Sequence, residues 1–103
     1  MSAAVPQPDP VIATTTRLAI VALLAPAEEM EFAAVRDALT LSDSALSKQA
    51  TALQAVGYVG IRKGYVGKRP RTWLKLTPTG RRAFHTHVAA LNAIVAGSGL
   101  SIG

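Results

Sequence analysis

The chain has 103 residues, half of them apolar, with eleven bases against six acids and a formal charge of +5. That supports one compact core in a single domain, while a chain this small still leaves apolar surface for a partner. It contains no cysteine, which excludes disulfides, thiolate metal sites and thiol redox sensing. The longest strongly apolar run, LAIVALLA, is far too short to span a bilayer. The residues before it lack the charged start of a secretory signal. The expectation is a soluble cytoplasmic protein with no membrane partner.

Residues 1–9 hold Pro6 and Pro8 and few large apolar groups, and read as a flexible N-terminal arm. Pro10 after Asp9 suits a helix start. From there to Ala25, Leu18, Ile20, Val21, Leu23 and Leu24 spread over more than one helical face, so this helix should be buried in the core or in a dimer. Pro26 ends it. AEEME reads as a polar connection whose three glutamates sit in an exposed turn.

FAAVRDAL then places Phe32, Val35 and Leu39 at helical spacing. A short break, TL, leads into SDSALSKQATALQAVG. Ser42 is a good N-cap, Asp43 favours the helix dipole from the first turn, and Gly57 suits the position just past the end. Leu46, Ala50 and Leu53 form a narrow apolar stripe. Opposite them lie Ser44, Lys48, Thr51 and Ala55, with Ser47 on the flank. That outward face is small and polar and carries one cation, as suits a helix lying close against something.

The period then changes from helical to alternating. YVGIRKGY and RTWLKLT read as two half-buried strands with Val59, Ile61, Leu74 and Leu76 inward, joined by VGKRP. Gly64 and Gly67 are expected to supply positive φ at the turn, and Pro70 to stop the ladder at the tip. Trp73, the lone tryptophan, is expected to pack beside this hairpin. Thr77 caps a final helix with Pro78 in its first turn, and Phe84, Val88, Leu91 and Val95 make a stripe along it. Residues 97–103 read as a flexible tail.

Charge divides along the chain. All six acids lie at or before Asp43, while nine of the eleven bases lie at or after Lys48. The later bases are therefore expected to face no acid, and such a half suits a polyanion. Five of them, Lys63, Lys68, Arg69, Arg71 and Lys75, crowd into KGYVGKRPRTWLKLTPTG.

The order of helix, short helix, tight break, polar-faced helix, hairpin and long helix makes an α+β, mainly helical winged helix-turn-helix with a two-stranded basic wing. Through LSDSALSKQATALQAVGYVGIRKG and GKRPRTWLKLTPTGRRAF, the chain resembles the small winged-helix DNA-binding regulators related to the MarR family, over about residues 10–92. The resemblance rests on the Leu-Ser-x-x-x-Leu-Ser-Lys core, the Gly-Tyr-Val entering the first wing strand and the Leu-Thr-Pro-x-Gly-Arg after the second. It implies a homodimer on a pseudo-palindromic operator, usually a repressor, with residues 10–96 serving both DNA binding and dimerisation.

Under that geometry the helix from Ser42 to Val56 enters the major groove. Ser44, Ala45, Ser47, Lys48, Gln49 and Thr51 are the candidate base readers. Ala45 stands where relatives often carry a polar residue and can touch only a thymine methyl, whereas Gln49 could pair with adenine. Arg62, Lys63, Lys68, Arg69 and Arg71 are the candidates for flanking phosphates or the minor groove. Leu18, Phe84, Val88, Leu91 and Val95 are the candidates for dimerisation.

His85 and His87, two apart on a helix, point about 200° from each other and cannot share one ion. They are expected on the helix surface, one of them at a dimer seam. No catalytic triad or phosphate loop is discernible, so neither an enzyme, a metal nor a cofactor is expected. A small effector remains open, with no residue pointing to one. A winged-helix protein-interaction module and an RNA-binding protein are the alternatives. The nine bases weigh against the first, and the narrow polar helix face, better suited to B-form than to RNA's deep groove, against the second.

Overall fold

The first helix starts later than Pro10 suggests. In the computed structural model, which describes residues 7–99, α1 spans Thr15–Leu24 and is capped by Thr14, whose hydroxyl accepts from the Arg17 amide. Residues 10–12 instead turn around Asp9, whose Oδ1 accepts from the Val11 amide at 2.8 Å and the Ile12 amide at 3.4 Å. An aspartate that bonds its own downstream backbone offers the chain an alternative to the helix. Ile12 is fully buried by this turn.

Asp9 is no part of a loose arm. Its amide donates to His87 Nδ1 at 2.9 Å and its Oδ2 accepts from the Tyr58 hydroxyl at 2.5 Å. That hydrogen bond holds the tyrosine's pKa above its ordinary value. Residues 1–6 of the expected arm and 100–103 of the expected tail lie outside the described residues.

After α1 come β1 (Met30–Glu31), α2 (Phe32–Ala38), α3 (Asp43–Ala55), β2 (Val59–Val66), β3 (Arg69–Leu76) and α4 (Pro78–Ala96). The expected two-stranded wing is part of a three-stranded antiparallel sheet, in the order β1-β3-β2. Met30 pairs with Leu74 and Glu31 with Trp73. The segment read as an exposed turn is therefore a short edge strand.

The core lies between the helices and the base of the sheet. Ile20, Val21 and Leu24 of α1 meet Val35, then Leu46, Ala50 and Leu53 of α3, then Val59, Leu74 and Leu76. The periodicities that marked these positions are the ones that bury them. Removing a side chain such as Leu53, which is fully buried, to alanine costs about 2–5 kcal/mol in such settings.

Between α2 and α3 the chain reverses through Thr40 at φ 53, an unusual value for a β-branched residue. The Arg36 guanidinium spans this turn, reaching Asp37 at 2.9 Å and Asp43 at 2.7 Å. Its hydrogen bonds to Asp37 and Asp43 raise its pKa, and Asp37 in turn is held below the ordinary carboxylate value. The three side chains bridge the turn between the two helices.

The two glycine-containing motifs meet in space. Gly57, at φ 78, ends α3. Thr77 then ties the end of the sheet to that spot: its amide donates to the Tyr58 carbonyl at 3.0 Å and its hydroxyl to the Gly57 carbonyl at 2.5 Å. The same hydroxyl caps α4 by accepting from the Gly80 amide at 2.9 Å. Gly80 seats so closely that a Cβ there would lie 2.1 Å from the Tyr58 carbonyl oxygen. No other residue fits without moving α4.

His87 is buried to 1 % exposure, not on the surface as expected, and its Nδ1 accepts from the Asp9 amide. His85 is exposed. Among the described residues, no group of three or more His, Asp or Glu is placed to hold a metal ion, and no helix is long and apolar enough to cross a membrane.

Candidate nucleic-acid interface

The Ser42 hydroxyl accepts from the Ala45 amide at 3.1 Å and starts α3 with its polar side out. Ser44, Ser47, Lys48, Thr51 and Gln54 are exposed, while Ala45, Gln49 and Ala52 are half-buried on the flanks. Gln54 extends the exposed row three residues beyond Thr51. It was legible from that spacing and was missed.

Gln49 faces the body of the protein. Its Oε1 accepts from Arg17 Nε at 2.9 Å, and the same guanidinium donates to the Val11 carbonyl at 3.2 Å. The bond to Arg17 holds this side chain on the flank of α3 and leaves its two N–H donors and a second lone pair on Oε1.

The wing has two unlike faces. Strand register puts Arg62 beside Trp73 and Gly64 beside Arg71 on one of them, and Ile61, Lys63 and Tyr65 beside Leu74, Thr72 and Pro70 on the other. On the first, the Arg62 guanidinium carbon lies 4.0 Å from the Trp73 ring centre while Nη2 meets Glu29 at 2.6 Å. Its hydrogen bond to Glu29 raises the Arg62 pKa and holds the glutamate below its ordinary value. Arg71 meets Glu31 at 2.9 Å. Two of the bases expected to be uncontested are therefore ion-paired. The glutamates around β1 splint the root of the wing, and Trp73 packs beside it as expected.

Gly64 belongs to this face, and not to the turn. A Cβ there would lie 3.2 Å from the Trp73 ring, so its role is close approach. Positive φ at the tip belongs to Gly67 alone, at 63°, the first residue of a two-residue hairpin turn. The ladder runs through Pro70, opposite Tyr65, to Val66 and Arg69. Proline is tolerated because β1 reaches only Leu74 and Trp73, leaving the other edge of β3 unpaired at Pro70.

The second face looks across to α3. Between them lies a groove of about 650 Å³, lined by Ser47, Thr51 and Gln54 on the helix side and Lys63 and Thr72 on the sheet side. Among the described residues, Lys48, Lys63, Lys68 and Arg69 make no ion pair. All four are exposed. The fold thus places Lys48, Lys63, Lys68 and Arg69 around one groove and its tip, ties Arg62 and Arg71 behind it, and leaves Lys75 on the opposite side of β3 and Arg81 and Arg82 on α4.

The family described as a winged helix DNA-binding domain matches residues 16–95, from α1 to the last turn of α4. The chain belongs to this family. An uncharacterized protein from Methanocaldococcus jannaschii is 32 % identical over 75 residues, covering 73 % of this chain and 82 % of its own. A solved transcriptional regulator homologue from Pyrococcus horikoshii is 26 % identical with a TM-score of 0.82, over 87 % of this chain and 89 % of that one. YusO of Bacillus subtilis shares the winged-helix fold at 21 % identity and a TM-score of 0.72, over 85 % of this chain and 62 % of its own. The resemblance to small MarR-related winged helix-turn-helix regulators, drawn from the motifs, holds.

The dimerisation candidates lie on α1 and α4. Leu18, Phe84, Val88, Leu91 and Val95 are each half-buried. Beyond Ala90 no described residue of α4 is fully buried, and Ile94 is 45 % exposed. The last turns of α4 carry an apolar surface past the body of the domain.

Proposed function

We propose that the protein is a homodimeric, sequence-specific regulator of transcription that represses by occupying an operator in duplex DNA. The observation that carries this reading is the groove between α3 and the wing. A row of small polar side chains and Lys48 faces outward beside Lys63, and Lys68 and Arg69 stand free at the tip. Short side chains let a helix approach base edges, and cations at a hairpin tip reach phosphates on either side of the site.

In this reading Ser44, Ser47, Lys48 and Thr51 read bases, with Ala45 as an apolar contact and Gln49 at the margin. Lys63, Lys68 and Arg69 meet the backbone, while Arg62 and Arg71 hold the wing. Residues 10–96 form the binding and dimerisation domain. The half-buried stripe of α4 and Leu18 of α1 close the dimer, since a helix that projects apolar residues past its own core needs a partner. Two recognition helices related by a two-fold axis require a palindromic site.

Selection from a random duplex pool tests this directly. An enriched palindrome with half-sites one or more helical turns apart is the expected result. Placed between a promoter and a reporter, the selected site should lower expression when the protein is present. Absence of any enriched sequence, or tighter binding to structured RNA at equal salt, would overturn the reading.

A further inference from the structure

A buried polar cluster on α4 plays no part in the candidate interface. His87 is 1 % exposed. Its Nδ1 accepts from the Asp9 amide at 2.9 Å, and among the described residues its Nε2 has no hydrogen-bond partner. A ring that accepts at Nδ1 is neutral and carries its proton at Nε2. That tautomer leaves a buried donor unmatched, which penalises the arrangement.

Asp9 belongs to a turn tied down at several points. Its Oδ1 accepts from the Val11 and Ile12 amides, and its Oδ2 accepts from the Tyr58 hydroxyl. The Val11 carbonyl accepts from Arg17 Nη1, and Arg17 Nε donates to Gln49 of α3. A hydrogen-bonded path therefore runs from α4 through residues 9–11 and Arg17 of α1 to α3.

We infer that residues 9–12 form a strap latched on neutral His87, and that the strap opens when the imidazole gains a second proton. A doubly protonated ring has an N–H at both nitrogens and no acceptor. Its Nδ1–H would meet the Asp9 N–H, donor against donor, and neither ring proton finds an acceptor in the closed strap. The Asp9 carboxylate attracts the added charge, but its oxygens are turned to Val11, Ile12 and Tyr58, so an imidazolium reaches them only if the turn unwinds. Arg82, which lines a cleft with Asp9 and Tyr58, and Arg17 of α1 both disfavour the added charge. His85, two residues before His87, points away from it. The closed strap thus takes the ring with one proton, whereas the open strap accepts either form. Acid favours opening, and closure is fullest above the range around pH 6.5 in which a free imidazole titrates. Opening releases the Val11 carbonyl from Arg17 and uncovers Ile12, which is fully buried. The device couples pH to the α1–α3 contact at Gln49.

Amide hydrogen exchange of the full chain between about pH 8 and about pH 5, corrected for intrinsic rates, reads the strap at Val11 and Ile12. Opening should increase about tenfold per pH unit below the imidazole range, the slope of one linked proton. His87→Gln keeps a carbonyl acceptor without a titrating ring and should flatten that response. Asp9→Asn removes the carboxylate charge, keeps its acceptor oxygen and should retain the response. Nitrogen NMR of the wild-type imidazole should show Nδ1 unprotonated at the alkaline end. The test contains no DNA, so its outcome is separate from that of the DNA-binding reading. Opening that is independent of pH in the wild type, or a response retained in His87→Gln, would overturn the latch. So would a proton on Nδ1 at the alkaline end. A response centred in the carboxylate range and lost in Asp9→Asn would assign the opening to Asp9 instead.

Discussion

Helices α3 and α4 are built alike at their starts and unlike along their outer faces. Each is capped by a hydroxyl residue, Ser42 or Thr77, whose side chain accepts from a first-turn amide. Each sets one side against the same core through Leu46 and Leu53, or through Gly80 and Phe84. Outward, α3 shows Ser44, Ser47, Lys48 and Thr51, whereas α4 shows half-buried Val88, Leu91 and Val95 and exposed Ile94. Short polar side chains suit a polar, hydrogen-bonding surface. Large apolar ones suit an apolar partner. Under the proposed function, the difference assigns two faces of one small domain separate tasks, and substitutions can test that separation.

The largest expected effect is on the seat of α4. Gly80→Ala puts a methyl 2.1 Å from the Tyr58 carbonyl oxygen, and should destabilise the fold by about 3 kcal/mol or more. Chemical denaturation reads it. An unchanged midpoint would show that α4 can shift freely, which would erase its contrast with α3.

Placing the same charge on each outer face should give opposite phenotypes. Leu91→Glu should yield a monomer by light scattering, with weakened operator binding. Ser47→Glu should leave the dimer intact and abolish DNA binding, because it sets an anion against the duplex. If both changes alter the same property, the two faces are not separate.

A finer test lies within α3. Lys48→Ala should lose about 1–3 kcal/mol of discrimination at one base of each half-site and little elsewhere. A panel of single-base operator variants measures it. Uniform loss across the panel would move Lys48 from base contact to phosphate contact.

The smallest effect concerns the caps. Ser42→Ala should cost about 1 kcal/mol of stability. Thr77→Ala should cost more, because its hydroxyl also donates to the Gly57 carbonyl. Equal losses in thermal or chemical unfolding would count against that second bond.

What the sequence made legible was periodic or local. Leu46, Ala50 and Leu53, the alternation through Val59 and Leu74, and the caps at Ser42 and Thr77 all follow from spacings of a few residues. What it hid depends on distant partners. Met30 and Glu31 become a strand only because β3 lies beside them, and two residues are too short for a period to register. Glu29 and Glu31 reach Arg62 and Arg71 across more than thirty positions, so a division of charge along the chain overstated the free cations. His87 is buried and bonded to Asp9, seventy-eight positions away, and Gly64 lies close against Trp73. At the candidate interface, the row through Thr51 was visible in the helical period. The engagement of Gln49 by Arg17 was not, since Arg17 belongs to another helix.

The close seat of Gly80 under Tyr58 also sets a lever. α4 has 19 residues, about 28 Å at 1.5 Å per residue, and Gly80 is near one end while Leu91 and Val95 are near the other. A tilt of one degree about that seat moves the far end by roughly 0.5 Å at this length. In the proposed dimer the far ends meet, so each degree of tilt would displace the two α3 helices relative to one another. In that dimer a rigid pivot at Gly80 would act as a ruler for half-site spacing, and loosening it would broaden the spacings accepted before it changed any base preference.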